Sequence, residues 1–220
     1  MAAITSKNVA SAPGLSGMSF STLRLLLEHD DALAEALSLL LNKILSGRTL
    51  PLTRRLLSAG RALLLPKANG GVRPIVVGEV LTRFVSSMAV KSISKPLLDH
   101  LLPHQLGCGL PGGSELGADI IRATLDLHPD WVVVSLDAAN AFNTFDRNHT
   151  WSEVARVLPS LLPLYAFLYG IPSDQIFPDS DGSPRSVLSA VGSRQGCALG
   201  TLAHAMNLQP VLRRINDSIL

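Results

Sequence analysis

A short apolar run that ends on a carboxylate, residues 131–137, restricts the possible fold more than any other part of the sequence. Three consecutive valines followed by Leu136 are typical of a β-strand that is buried on both faces of a sheet. An acid at the end of such a strand, here Asp137, lies at the rim of the sheet, where α/β domains often carry their chemistry. The run predicts a buried central strand with Asp137 as a catalytic candidate. A helix-capping or turn role for Asp137 is the alternative.

The composition predicts a folded, core-rich protein of one large or two small domains. Of the 220 residues 47% are apolar, and the mean hydropathy is +0.31. No uncharged apolar run reaches the roughly 18 residues needed to cross a bilayer, and the N-terminus lacks the basic start and apolar core of a secretory signal. Two cysteines, Cys108 and Cys197, suit a reducing compartment. We expect an intracellular protein without a membrane partner, in the nucleus or the cytoplasm.

Positive charge is concentrated in one part of the chain, although the net charge is only +2. Residues 43–95 contain ten lysines and arginines against a single acid, Glu79. Such a local excess is typical of a surface that binds a polyanion, and a solvated basic face without a ligand is the alternative. The nucleic-acid-binding candidates within the segment are Arg54, Arg55, Arg61 and Arg83.

The order of predicted elements places the chain in the α+β class. Strands at 61–67 and 72–77 flank Asn69-Gly70, the strongest short signal for a β-hairpin. A second hairpin is predicted from 175–177 and 186–191, and a turn at 192–196 precedes a long amphipathic helix over 197–215. Helical patterns cover the segments 31–46, 79–102, 114–127, 147–158 and 161–169. Hairpins mixed with helices, without regular βα alternation, indicate α+β.

The glycine spacing at 107–112 matches the GxGxxG pattern of dinucleotide-binding Rossmann enzymes, with Asp137 as the ribose ligand. That pattern requires a buried strand immediately before its first glycine. Residues 101–106 contain Pro103, His104 and Gln105, which do not favour such a strand. An NAD(P)-binding enzyme therefore remains the less favoured alternative.

The spacing of His100, His104 and Cys108 could suggest a metal site. Pro103 interrupts a single helix across these residues, and no fourth ligand is evident. Packing or surface roles are the preferred interpretation.

Four stretches, taken in order, resemble the reverse transcriptase of non-LTR (LINE-like) retrotransposons. They are Leu-Pro-Lys at 65–67, Gly-Val-Arg-Pro-Ile at 71–75, Leu-Asp-Ala-Ala-Asn-Ala-Phe-Asn at 136–143, and Gly-Ser-Arg-Gln-Gly-Cys at 192–197. The resemblance covers roughly residues 61–215. It implies the fingers and a partial palm of a right-hand polymerase, an RNA-directed DNA polymerase whose partners are an RNA template, a DNA primer and a dNTP.

The resemblance divides the chain into four parts. Residues 1–20 are a flexible leader and 21–60 an N-terminal helical segment. Residues 61–130 are the fingers and their connection to the palm, and 131–220 are a partial palm with a fingers hairpin inserted at 148–195.

The resemblance also implies a two-metal catalytic site. Asp137 matches the family's metal ligand, with the carbonyl of Ala138 as a second ligand. Hard oxygen ligands suit Mg²⁺ or Mn²⁺, which stabilise the attacking and leaving oxygens of nucleotidyl transfer.

The nucleotide-binding residues implied by the resemblance lie in three separate segments. Lys67 and Arg73 match the fingers residues that contact the triphosphate. Phe142 matches the aromatic residue that crowds the sugar 2′ position, and Gln195 with Gly196 matches a turn against the nascent base pair. A generic basic surface, ordinary core packing and a turn without function are the respective alternatives.

The chain departs from the family pattern in its C-terminal part. The family has a hairpin with two adjacent aspartates after the Gln-Gly turn, whereas the sole acid after Asp181 here is Asp217, in a sequence that does not match. The thumb is absent as well. We therefore expect the isolated chain to be inactive, with the remaining palm and thumb as a candidate partner. A non-catalytic nucleic-acid-binding module derived from a reverse transcriptase is the alternative.

Overall fold

The computed structural model describes residues 11–29, 31–68, 70–178 and 181–219. The helices, in chain order, are α1 (Phe20–His29), α2 (Asp31–Leu45), α3 (Pro51–Ser58), α4 (Val80–Ser92), α5 (Ser94–Leu101), α6 (Gly113–Leu127), α7 (Ala141–Thr144), α8 (Arg147–Val157), α9 (Leu162–Tyr169) and α10 (Gly200–Ile219). The strands are β1 (Gly60–Pro66), β2 (Val72–Gly78), β3 (Ser173–Pro178) and β4 (Pro184–Ser189). The mixed α+β class predicted from the sequence is confirmed.

Two hairpins form a single four-stranded sheet in the described part of the chain, in the order β2-β1-β3-β4. Both hairpins are antiparallel and match the predicted segments. They join where β1 runs parallel to β3, through the pairs Gly60–Gln175 and Arg61–Ile176. The sheet therefore brings residues near position 60 beside residues near position 175.

The prolines of the first hairpin lie where missing N–H donors cost least. Pro74 lies opposite Leu64 on β2, an edge strand of the sheet. Pro66 is at the end of β1 away from its two pairs with β3. Because proline cannot donate to a ladder, both positions avoid the loss of a hydrogen bond between strands. The tip is closed by the Lys67 N–H, which donates to the Gly71 carbonyl at 2.7 Å.

The core lies among helices rather than beneath the sheet. Its fully buried large side chains include Leu97 of α5, Tyr165 and Phe167 of α9, and Leu202 and Met206 of α10. Leu and Ala supply much of the rest, as the scarcity of aromatics requires. Among the described residues no helix is both long and apolar enough to cross a membrane.

The apolar run 131–136 does not form the buried central strand that the sequence predicts. It has no regular secondary structure, and Val134 and Leu136 are 74% and 89% exposed. A strand buried on both faces needs neighbours that supply hydrogen bonds and cover its side chains. Neither hairpin of the sheet pairs with this run, so the prediction is wrong for the chain as folded here.

The Rossmann interpretation is also wrong, because residues 101–106 form a helix end and a turn instead of a strand. No parallel sheet precedes the glycines at 107–112, and the parallel contact in the described part is limited to β1 and β3.

Half of the predicted flexible leader, residues 1–10, lies outside the described residues. Residues 11–19 are irregular but held against α4. The Ser16 N–H donates to the Glu79 carboxylate at 3.0 Å, and the Arg83 guanidinium donates to the Ala12 carbonyl at 2.8 Å. This part of the leader is therefore anchored by polar contacts that its composition does not reveal.

Candidate functional site

The turn at 192–196 joins two segments that are far away in sequence. The Gly192 N–H donates to the Phe145 carbonyl at 2.9 Å, and the Ser193 N–H donates to the Phe142 carbonyl at 2.6 Å. On the other side, the Val76 N–H of β2 donates to the Gln195 carbonyl at 2.7 Å. Two of the four stretches that carry the family resemblance, 136–143 and 192–197, thus meet through a backbone hydrogen bond, and the residue that directly follows a third stretch, Val76, binds the same turn.

Glycine is required at both ends of this turn by the close approach of other backbone. Gly192 has φ +58°, and a Cβ there would lie 2.3 Å from the Asn143 carbonyl carbon. Gly196 has φ +105°, and a Cβ there would lie 2.7 Å from the Val76 carbonyl oxygen. Any other residue would combine a disfavoured backbone conformation with a steric overlap.

A cavity of about 380 Å³ opens where the three segments meet. Four of the five predicted nucleotide-binding residues line it: Arg73, Phe142, Gln195 and Gly196. Its volume is within the range of small-molecule sites. The fifth residue, Lys67, lies exposed at the tip of the first hairpin and does not line the cavity. The fold therefore brings four of the residues implied by the family resemblance to one cavity.

Phe142 is held in the cavity wall by a short helix and an aromatic neighbour. It lies on α7, which follows Asn140 in the left-handed conformation at φ 53°. Its half-buried ring lies 5.1 Å from the ring of His204. Burial lowers the pKa of His204 below its usual value, which favours a neutral imidazole beside the phenyl ring.

Arg147 is not among the residues that the sequence singled out. It fixes the position of the turn by donating to the backbone at the start of the turn. Its guanidinium donates to the carbonyls of Gly192 at 2.7 Å, Ser189 at 2.9 Å and Val191 at 3.2 Å, and to the Ser189 hydroxyl at 2.8 Å. It also lies over the Tyr169 ring, 5.1 Å from the centroid. Burial lowers its pKa, and every one of these acceptors is neutral. No sequence signal distinguished this arginine from a surface one.

Arg194, directly before the predicted site residue Gln195, is the second residue that the sequence did not single out. It is buried, donates to the Ser58 carbonyl and lies 5.6 Å from the centroid of Tyr169. Its Nε has no hydrogen-bond partner in the described part of the chain. Arg194 also lines the 380 Å³ cavity, but its guanidinium is held by Ser58 and Tyr169. No acid is among the lining residues of the cavity, so the charge of Arg73 is not neutralised there.

The residues present do not fit a two-metal site. Asp137 and Ala138 lie on the exposed segment after the run 131–136 and do not line the cavity. Within the described ranges no three histidine, cysteine, aspartate or glutamate side chains are grouped closely enough to hold a metal ion. Since a two-metal site needs several oxygen ligands in fixed geometry, Asp137 alone does not supply one.

The four arginines predicted to bind nucleic acid have different environments. Arg54 donates to the Phe167 carbonyl at 3.1 Å and to the Ala166 carbonyl, and Arg55 forms a 2.9 Å salt bridge with Asp174. These two contacts hold α3 against α9 and β3. They give Arg54 and Arg55 structural roles that the charge count did not reveal.

The other two predicted arginines, Arg61 and Arg83, lie near the two hairpins and the leader. The Arg61 side chain has a buried Nε without a partner among the described residues. Arg83 stacks over Phe20 at 5.2 Å and lines a neighbouring cavity of about 460 Å³. Gly196, Cys197 and Thr201 line both cavities, so Arg83 lies across this shared wall from Arg73.

Comparison with known proteins gives one retrotransposon relative. No family model matches the chain. The chain is 26% identical over 216 residues to the "Retrotransposable element SLACS 132 kDa protein" of Trypanosoma brucei gambiense, and the match covers 94% of this chain but 17% of that protein.

A solved structure of apo telomerase from Candida tropicalis, truncated from its C-terminal domain, is similar with a TM-score of 0.49 and 12% identity. That match covers 72% of this chain and 39% of the telomerase chain, and likeness at this level supports no conclusion about the present chain. The chain is weakly homologous to a retrotransposon protein.

Proposed function

We propose that this chain is a fragment of a retrotransposon reverse transcriptase, an RNA-directed DNA polymerase, and that its cavity binds the incoming dNTP. The observation that carries the proposal is the convergence of Arg73, Phe142, Gln195 and Gly196 from three separate segments around one cavity. The retrotransposon relative supports it, because that match extends over 94% of the chain.

The chemistry of the cavity suits a nucleoside triphosphate. Arg73 on the edge strand β2 offers guanidinium donors for phosphate oxygens. Lys67, at the tip of the same hairpin, is exposed and could add a further positive charge if the hairpin bends towards the ligand. The Gln195 amide provides both a donor and an acceptor for a base or a sugar.

Phe142 accounts for a preference for deoxyribonucleotides. Its ring lies against His204 and its backbone is held by Ser193, so the ring has little freedom to move. A fixed phenyl ring beside the sugar leaves no room, and no hydrogen-bond partner, for a 2′-hydroxyl. The ring therefore selects against ribonucleotides by excluding the hydroxyl.

Catalysis by the isolated chain is not expected. The family chemistry relies on Mg²⁺ or Mn²⁺, which would supply Lewis-acid stabilisation of the reacting oxygens. Asp137 and the Ala138 carbonyl would contribute ligands only together with carboxylates from outside the described residues. The exposed run 131–136 fits the same view, since it offers an apolar surface to a further palm segment, which would be the partner of this fragment.

Nucleotide binding tests the proposal directly. We expect dTTP to bind the chain, and Arg73→Gln to weaken binding about tenfold or more because a charge-assisted hydrogen bond is lost. Phe142→Ala is expected to reduce the preference for dTTP over the ribonucleotide with the same base. Arg122→Gln is the matched control, because Arg122 is exposed on α6 and forms a 2.9 Å salt bridge with Asp119. Equal losses in the Arg73 and Arg122 variants would contradict the proposal.

Primer extension tests the expected inactivity. The isolated chain is incubated with an RNA template, a DNA primer, dNTPs and Mg²⁺, and no extension is expected. Extension that disappears in Asp137→Ala would show that this chain assembles a complete site, and the claim of inactivity would be wrong.

A second candidate function is nucleic-acid binding without catalysis, favoured by the absence of grouped metal ligands in the described ranges. In that case Arg61 and Arg83 would contact template or primer backbone. Affinity for RNA would then fall steeply with salt, whereas dTTP binding in the 380 Å³ cavity would be absent. Titration of both ligands separates the two functions.

A further inference from the structure

A further cavity, with no lining residue in common with the candidate nucleotide cavity, lies between α5, α8 and α10. Its volume is about 370 Å³. Its charged and titratable lining residues are His100, His149, Glu153, Arg156, Arg213 and Arg214. We propose that this cavity is a binding site for a phosphate group.

The floor of the cavity is rigid. Gln209 of α10 is fully buried, and its amide donates to the carbonyls of His100 at 2.7 Å and Leu101 at 3.2 Å. The Gln209 carbonyl oxygen accepts from the Gln105 amide at 2.7 Å. This network binds α5 to α10 without a bound ligand, so the cavity is preformed and a ligand need not order it.

The contacts of the His100 ring leave its Nε2–H group without an acceptor. Its Nδ1 lies 3.2 Å from a guanidinium nitrogen of Arg213, which can only donate. Nδ1 must therefore accept, and the ring proton resides on Nε2 in the neutral imidazole. The Nε2 atom is buried and has no partner among the described residues. A buried N–H without an acceptor is costly, and the fold leaves this cost unpaid in the wall that His100 contributes to the cavity.

The arginines give the cavity an excess of positive charge. Arg213 also donates to the His100 carbonyl at 2.9 Å, which fixes its guanidinium at the cavity wall. Arg156 is paired with Glu153 at 2.6 Å, and this glutamate is the one acid lining the cavity. Arg213 and the exposed Arg214 are left in excess. The same field is felt by His100, whose pKa is lowered by burial and then by the charges of Arg213 and Arg156.

Phosphate fits this set of groups better than other ligands do. The guanidinium groups of the lining arginines are donors, and phosphate offers several strong acceptor oxygens with negative charge. A cation is disfavoured by the arginines, and the described residues contain no group suited to a metal. The phosphate could be a free anion or a phosphodiester of a nucleic-acid strand, and the two sources share the same contacts.

Calorimetric titration of the full chain tests the site with two probes, inorganic phosphate and an oligothymidylate with hydroxyl ends. Arg214→Gln removes an exposed guanidinium with little effect on packing, and should weaken binding of the recognised probe about tenfold. Arg122→Gln on α6 is the control with the same change of charge, and should leave affinity unchanged. Glu153→Gln removes the opposing carboxylate and should tighten binding about two- to fivefold.

Binding of inorganic phosphate with this pattern of variants supports a site for the free anion. Binding of the oligothymidylate alone, with the same pattern, supports a site for a nucleic-acid backbone. Failure of both probes to bind would overturn the proposal, as would equal weakening by Arg214→Gln and Arg122→Gln, since that result indicates non-specific attraction. None of these outcomes depends on dTTP binding in the other cavity.

Discussion

Replacement of Gly192 by alanine should destabilise the protein by about 3 to 4 kcal/mol. Alanine in the left-handed conformation at φ +58° costs roughly 1–2 kcal/mol. The new Cβ would lie 2.3 Å from the Asn143 carbonyl carbon, so the turn must move away. That movement breaks the hydrogen bonds from Gly192 and Ser193 to the carbonyls of Phe145 and Phe142, worth about 1 kcal/mol each.

Gly182→Ala is the matched control for this prediction. Gly182 has φ +81°, but a Cβ there would have nothing within 4 Å. The free energy of unfolding of this control should therefore fall only by the conformational cost of alanine at positive φ, about 1–2 kcal/mol. Urea denaturation followed by circular dichroism gives both free energies of unfolding. Equal losses in the two variants would refute the claim that close packing of the turn on residues 142–145 assembles the cavity.

Three further predictions concern other parts of the molecule. Arg147→Lys should lower the free energy of unfolding by about 2–4 kcal/mol, measured in urea, because a lysine ammonium cannot span the four acceptors that the guanidinium contacts. Burial holds the pKa of His204 below 6.5, so the unfolded chain binds the proton at a higher pH than the folded chain does. The free energy of unfolding should therefore fall as the pH drops below about 6.5 and through the lowered pKa. Denaturation at several pH values should show a smaller fall in His204→Phe, and an unchanged fall would contradict this role of His204. Val134→Lys should reduce self-association in light scattering without loss of stability, since Val134 is 74% exposed; a loss of stability would show that the run 131–136 is packed.

The sequence predicted local elements well where turn chemistry was explicit. Asn69-Gly70 predicted the first hairpin. The second hairpin was predicted from its strand patterns at 175–177 and 186–191. In each case a short segment carries its own conformational preference, so no knowledge of tertiary contacts was needed.

Predictions that depended on distant partners were less successful. The run 131–136 has the pattern of a buried strand, but a pattern cannot supply the neighbouring strands that burial requires. Arg147 and Arg194 look like surface arginines, and their burial follows from carbonyls that only the folded chain brings together. Arg73, Phe142 and Gln195 were selected through the family resemblance, and only the folded chain brings them to one cavity.

Photolabelling with an azido derivative of dATP, followed by mass spectrometry of the digested chain, tests the central claim most directly. The account predicts label on residues 140–145 and 194–197, the segments that meet at the candidate nucleotide cavity, and its loss when unmodified dATP competes. Label confined to the cavity of His100 and Arg214, or label that dATP does not displace, would contradict the assignment of the nucleotide site.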